Sequence, residues 1–229
     1  AQFFRRLNPY FKVNVMRINK IITLLLGVVF SQSQTAHAEE PWTPVNGIPS
    51  MEKQGANVTQ NNQYLYLFGP GQSQLNYLNI RLTDNTTTSQ TVMYRGPGGQ
   101  SSTTATVNLG NFNWALNGDS AIDSFRSSGT SNPQRHLSLT GSKQSSLTLN
   151  GKNFGMKLGG DVKLEISNLN GVTISSPSGS TTPVGAAIAA VAASNQQHVE
   201  NVKLIVNSVN LLKIEGNVNH GVASYGNNN

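Results

Sequence analysis

Short segments of this chain repeat one pattern: apolar, polar, apolar, then a turn at glycine. Thr106-Val-Asn-Leu109 closes on Gly110, Leu137-Ser-Leu-Thr140 on Gly141, and Leu147-Thr-Leu-Asn150 on Gly151. Leu164-Glu-Ile166 is followed by Asn170-Gly171, and Val172-Thr-Ile174, Leu204-Ile-Val206 and Leu212-Lys-Ile214-Glu-Gly216 extend the series. Alternation places both apolar residues on one side of a strand, and Gly or Asn accepts the backbone of the turn. Strands this short cannot bury a face alone, whereas stacked coils share one continuous core. The expected fold is all-β: a β-solenoid, parallel β-helix-like, with spacings of about eight to ten residues fitting one side of a coil each. An antiparallel β-sandwich is the alternative that short, regularly spaced strands also allow. The recurring Gly-terminated units and the few aromatics favour the solenoid.

Ahead of these repeats lies a targeting segment. Met16 to Lys20 is short and basic, Ile21 to Phe30 is apolar, and a polar stretch closes on Ala36-His37-Ala38. This is the layout of a cleavable signal peptide spanning 16–38, with Ala36 and Ala38 in the small-x-small positions and Glu39 as the first mature residue. A membrane anchor needs about 20 apolar residues, far more than this run supplies. Residues 1–15 read as an upstream extension translated in frame. Of the sixteen basic residues, five lie in 1–38 (Arg5, Arg6, Lys12, Arg17 and Lys20) with none of the ten acids, leaving eleven against ten beyond it. The basic balance therefore belongs to the leader, and nucleic acid is not expected as a partner. Cysteine is absent, so neither disulfides nor thiolate metal sites hold the fold together.

Residues 39–103 read as an irregular, Pro- and Gly-punctuated leader followed by capping strands at Gln63–Phe68, Tyr77–Leu82 and Thr91–Tyr94. Residues 104–229 read as the β-repeat region. Within it, 183–193 stands out as a small-residue insertion with helical propensity. Gly185, Ala189 and Ala193 share one side of such a helix, a pattern suited to close packing, oligomer contact or peripheral membrane contact.

Catalytic chemistry has little to draw on. Gly118-Asp119-Ser120 is similar to the nucleophile segment of chymotrypsin-like proteases, but no histidine precedes His136 in the mature part to act as base. His136, His198 and His220 are scattered singly, without metal-ligand spacing, and His136 reads as a solvated edge residue. The nearest carboxylate pairs are Asp119 with Asp123 and Asp161 with Glu165, which a β-helix glycosidase or lyase would need to converge on one flank. Tyr64, Tyr66, Phe68 and Tyr77 form an aromatic group expected to cap the end of the solenoid, with a sugar platform as the functional alternative. Gly151-Lys152 lacks the rest of a phosphate loop. No catalytic set, cofactor or metal is expected.

The signal, the cysteine-free mature part and the Asn/Ser/Thr/Gly-rich repeats together resemble the N-terminal part of a Gram-negative autotransporter (type V) passenger. More narrowly, Thr106-Val-Asn-Leu-Gly-Asn-Phe-Asn113 with the repeats after it is similar to the start of vacuolating-cytotoxin-type passengers. The resemblance implies a non-catalytic adhesion module, carried out of the cell by export machinery and exposed at the surface or secreted. Its partner would be a receptor or glycan of a host or neighbouring cell. A pore-forming passenger and a polysaccharide-active β-helix enzyme are the alternatives. It further implies that the frame continues beyond Asn229 into a membrane β-barrel; a frame stopping there would leave a small exported β-protein.

Overall fold

The computed structural model describes residues 40–69, 75–94, 102–125, 134–177, 185–191, 201–216 and 220–225. Every regular element among them is a strand. The first four are β1 (Thr43–Val45), β2 (Ile48–Gly55), β3 (Val58–Gln60) and β4 (Tyr64–Leu67). From there the chain winds in coils with three strand positions each. Coil 1 is β5 (Tyr77–Leu82), β6 (Thr86–Thr88) and β7 (Thr91–Tyr94); coil 2 is β8 (Thr103–Asn108), β9 (Trp114–Leu116) and β10 (Ser120–Asp123). Coil 3 is β11 (Arg135–Thr140), β12 (Ser146–Asn150) and β13 (Phe154–Leu158). In coil 4 the first two positions merge into β14 (Val162–Ser175), followed by β15 (Ala186–Val191). Coil 5 repeats this with β16 (Val202–Glu215) and β17 (His220–Tyr225).

Strands in each position run parallel from coil to coil. The first position stacks β5, β8, β11, β14 and β16. The second stacks β6, β9, β12 and the later halves of β14 and β16. The third stacks β4, β7, β10, β13, β15 and β17. This is the expected solenoid, not the sandwich. Among the described strands, antiparallel pairing is confined to β1 with β2, β2 with β5 and β3 with β4.

The alternating residues become continuous inward ladders. Leu78, Ala105, Leu137, Leu164 and Leu204 lie in register at the first position, and Trp114, Leu147, Val172 and Leu212 at the second. Leu65, Val92, Ile122, Met156, Ile188 and Val222 form the third. These side chains are buried as far as coil 4, each burial of a leucine-sized group contributing about 2 kcal/mol. Polar side chains bond along the outside: Asn150 to Asn117 at 3.2 Å, Ser175 to Asn150 at 3.2 Å, Ser167 to Thr140 at 3.3 Å and Asn210 to Asn170 at 3.2 Å. Those partners lie 33, 25, 27 and 40 residues apart along the chain, so the coils are unequal.

Two expectations need correction. Within 39–103 the strands expected at 63–68, 77–82 and 91–94 are present as β4, β5 and β7, but the part read as irregular carries β1, β2 and β3, and β5 pairs directly with β8 across the expected boundary at 103/104. The small-residue run is strand, not helix. Ala186 to Val191 lies in parallel register between β13 and β17, with Ile188 beside Met156 and Val222. Ladder pairing on both edges outweighs the intrinsic preference of alanine for helix. Gly185 and Ala189 therefore do not share a helix face; Gly185 is half-buried, Ala189 is buried, and Ala193 lies outside the described residues.

Candidate functional site

The corners between the second and third strand positions stack into a polar column at the early end of the solenoid. A cleft of about 240 Å3 opens there, lined by Asn62, Gln63, Tyr64, Ser89, Thr91, Asn117, Gly118, Asp119 and Lys152. Coils 1, 2 and 3 each contribute one corner, and the turn between β3 and β4 adds a fourth. Asn61 sets the uppermost by accepting the backbone N–H groups of Gln63 and Tyr64, both at 2.8 Å, a side-chain-made turn. Backbone bonds then tie corner to corner: Thr91 N to Gln63 O at 2.9 Å, Lys152 N to Gly118 O at 2.9 Å and Asn153 N to Asp119 O at 2.7 Å. The backbones approach so closely that a Cβ at Gly118 would lie 2.6 Å from Thr91 N, and one at Gly151 only 1.6 Å from Phe154 O. Glycine is required at both positions.

The cleft is lined by residues bearing amides, hydroxyls, one carboxylate and one ammonium group, which together supply both donors and acceptors. Tyr64 is half-buried at its edge, its ring 5.6 Å from that of Tyr66 and inclined to it by 49°. The two rings offer an apolar surface with a polar tip beside the hydrogen-bonding groups. Of the aromatic group expected to cap the fold, Phe68 is indeed interior, 5.9 Å from Tyr94, and Tyr77 packs over Gly55 of β2. Tyr64, Tyr66 and Tyr77 are each half-buried, and of these Tyr64 lines the cleft.

The four acids do not converge. Asp119 lies at the second-to-third corner, Asp123 on β10, Asp161 at the third-to-first corner and Glu165 on β14. Asp123 accepts the Phe125 N–H at 2.8 Å, and Asp161 accepts from the Asn201 amide at 2.6 Å. Glu165 gathers Lys163 at 3.0 Å, His136 Nε2 at 3.6 Å and the Asn207 amide at 3.3 Å. Lys163, foremost, with Asn207 and His136 adding to it, holds the Glu165 carboxyl below the usual carboxylate range against the opposing effect of burial. His136 is thus no edge residue; it stands half-buried between Thr104 and Lys163 in the middle of the sheet. Ser120 is buried at the start of β10. Among the described residues no three His, Asp or Glu side chains gather as metal ligands. His198, Ala36, Ala38 and Glu39 lie outside the described residues.

Sequence reasoning passed over Arg135. Its side chain is fully buried at the third-to-first corner, where the guanidinium donates to the carbonyls of Tyr94 at 2.9 Å, Ser124 at 2.6 Å and Gly159 at 2.6 Å, and to that of Gly160. Those carbonyls belong to coils 1, 2 and 3, so one side chain ties three coils. The Tyr94 hydroxyl sits beside it, 2.9 Å from the His136 carbonyl and 3.0 Å from that of Thr103, and burial pushes its pKa up to about 12. The flank of a strand gives no sign of such a residue.

No protein-family model, curated protein or solved structure matches the chain. The site is therefore read from its own residues.

Proposed function

We propose that the chain acts as an exported, non-catalytic binding module at or beyond the cell surface, holding a neutral glycan in the cleft beside Tyr64. The observation that carries this is the composition of that cleft: tyrosine at the rim and amides and hydroxyls stacked corner on corner. Sugars present hydroxyls and C–H faces together, and the cleft offers a partner for each. The dispersal of Asp119, Asp123, Asp161 and Glu165 favours binding over hydrolysis, which needs two carboxyl groups facing one bond. The signal-peptide pattern of residues 16–38 supports export, and the Asn/Ser/Thr/Gly-rich solenoid supports the likeness to an autotransporter passenger.

The test is calorimetric titration of the chain with chito-, cello- and malto-oligosaccharides. One series is expected to bind, and Tyr64→Ala to weaken it by about tenfold, the loss of roughly 1.4 kcal/mol. Tyr66→Phe should leave the affinity within about twofold. Absence of binding by all three series at millimolar concentration would overturn the reading.

A further inference from the structure

The polar corner column continues past the cleft beside Tyr64. A second hollow, of about 420 Å3, lies further along the same corner, with Thr148, Asn150, Ser175, Ser176 and Glu215 in its lining. Cleft and hollow are joined residue to residue. Asn117 lines the cleft and accepts at 3.2 Å from the amide of Asn150, which lines the hollow. Asn150 in turn accepts from the Ser175 hydroxyl at 3.2 Å. The Ser176 hydroxyl donates at 3.0 Å to the carbonyl of Asn153, the neighbour of Lys152 in the cleft. Ser175 stands in register with Glu215 of the next coil, and at the other end Thr88, beside Ser89, is in register with Leu116, beside Asn117. One row of polar side chains thus follows the stack from Ser89 in coil 1 to Glu215 in coil 5.

A second row of outward side chains flanks it. Thr87, Ala115, Thr148, Thr173 and Lys213 stand in register one coil apart, and three of these five carry hydroxyls. Such register sets successive groups about 4.8 Å apart. An extended pyranose chain advances by nearly that length per sugar, so a polymer lying along the column meets the same kind of group once per coil. The charges beside it are balanced: Lys213 is met by Glu215 at 2.9 Å, and the cleft holds Asp119 with Lys152. A polyanion would find no basic stripe to follow. Among the residues lining cleft and hollow, Tyr64 carries the one aromatic ring, so hydrogen bonds alone would hold the chain beyond it.

We propose that this column is a row of subsites for a straight, neutral polysaccharide, which starts beside Tyr64 and runs along the stack at about one sugar per coil. The proposal rests on the glycan reading of the cleft and adds the direction and length of the ligand. Its test is calorimetric titration of the full chain with chito-, cello- and malto-oligosaccharides of two to six sugars. A β-1,4-linked series, chito or cello, is expected to bind about threefold more tightly with each added sugar, the yield of one net hydrogen bond. Thr148→Val removes a hydroxyl from the flanking row at nearly constant shape, and Asn150→Ala removes an amide from the column; neither residue lines the cleft. Each should weaken the hexasaccharide by about threefold or more and leave the disaccharide within about twofold. A variant that merely unfolds would lose the disaccharide as well, and Thr148→Val decides the matter should Asn150→Ala do so. Affinity that stops rising at the disaccharide, a hexasaccharide indifferent to both variants, or a coiled malto series that gains as steeply would overturn the row and leave the cleft standing. Affinity that rises with length but ignores Tyr64→Ala would overturn the cleft reading and support the row. No binding by any oligosaccharide would overturn both.

Discussion

On the early side of the solenoid β2 and β3 run antiparallel to β5 and β4, and Met51 on β2 is fully buried. In coil 5, the last of the described coils, β16 and β17 carry the same inward apolar spacing as coil 4, yet Leu212 and Ile214 stay partly in water. Both regions are built from similar side chains. They differ in strand direction. Reversed strands break the parallel ladder and, among the described strands, leave the three-residue β1 and β3 outermost, each too short to recruit another chain. A parallel strand leaves an edge like the one it covered. The two regions thus differ in strand polarity rather than in hydrophobicity.

The sharpest way to break this comparison is to place a charge in each region. Met51→Asp is expected to cost more than about 4 kcal/mol and abolish the urea transition, because no partner meets the buried carboxylate. Leu212→Asp should leave a folded chain with a midpoint lowered by about 1 kcal/mol or less, since its side chain keeps contact with water. Equal effects would mean that the inward side chains of coil 5 are closed off from water. Truncation within one ladder is the next test. Leu164→Ala should cost about 3 kcal/mol and Leu204→Ala about 1 kcal/mol in chemical denaturation.

Alkaline titration separates the coils more gently. The Tyr94 pKa is raised in the folded chain, so its stabilising effect is complete below pH 10 and is lost as the pH climbs toward 12. Thermal unfolding should show a loss of about 2 kcal/mol over that window, absent in Tyr94→Phe. The smallest effect is expected at Glu165. Its pKa is lowered, so its contribution is present above the ordinary glutamate range and fades as the pH falls through the folded value. Glu165→Gln should lower the melting temperature slightly at pH 7 and flatten the acid limb, the two curves converging at low pH.

Much of this core was legible before any coordinates. Leu137, Leu139, Leu147, Leu149, Leu164, Ile166, Val172 and Ile174 alternate in sequence and all point inward, because a two-residue period leaves little freedom in which side is buried. The antiparallel cap was hidden by Pro41, Pro44, Gly47 and Pro49, whose punctuation reads as irregular chain although β1 and β2 pair through it. Ala186 to Val191 misled because alanine favours helix locally, and only its neighbours in the stack decide otherwise. The cleft beside Tyr64 escaped because its lining comes from four corners separated by whole coils. Nothing local announces that Asn62, Ser89, Asn117 and Lys152 meet.

The unequal coils carry a consequence of their own. If every turn of the solenoid had one length, sliding the later turns by one step would restore nearly every ladder, and the molecule would have several near-equal ways to close. Partners 25, 27, 33 and 40 residues apart forbid this, since any slide drives a corner into the place of a strand. Each turn is in effect numbered by its loop, and the chain can lengthen those loops without losing count.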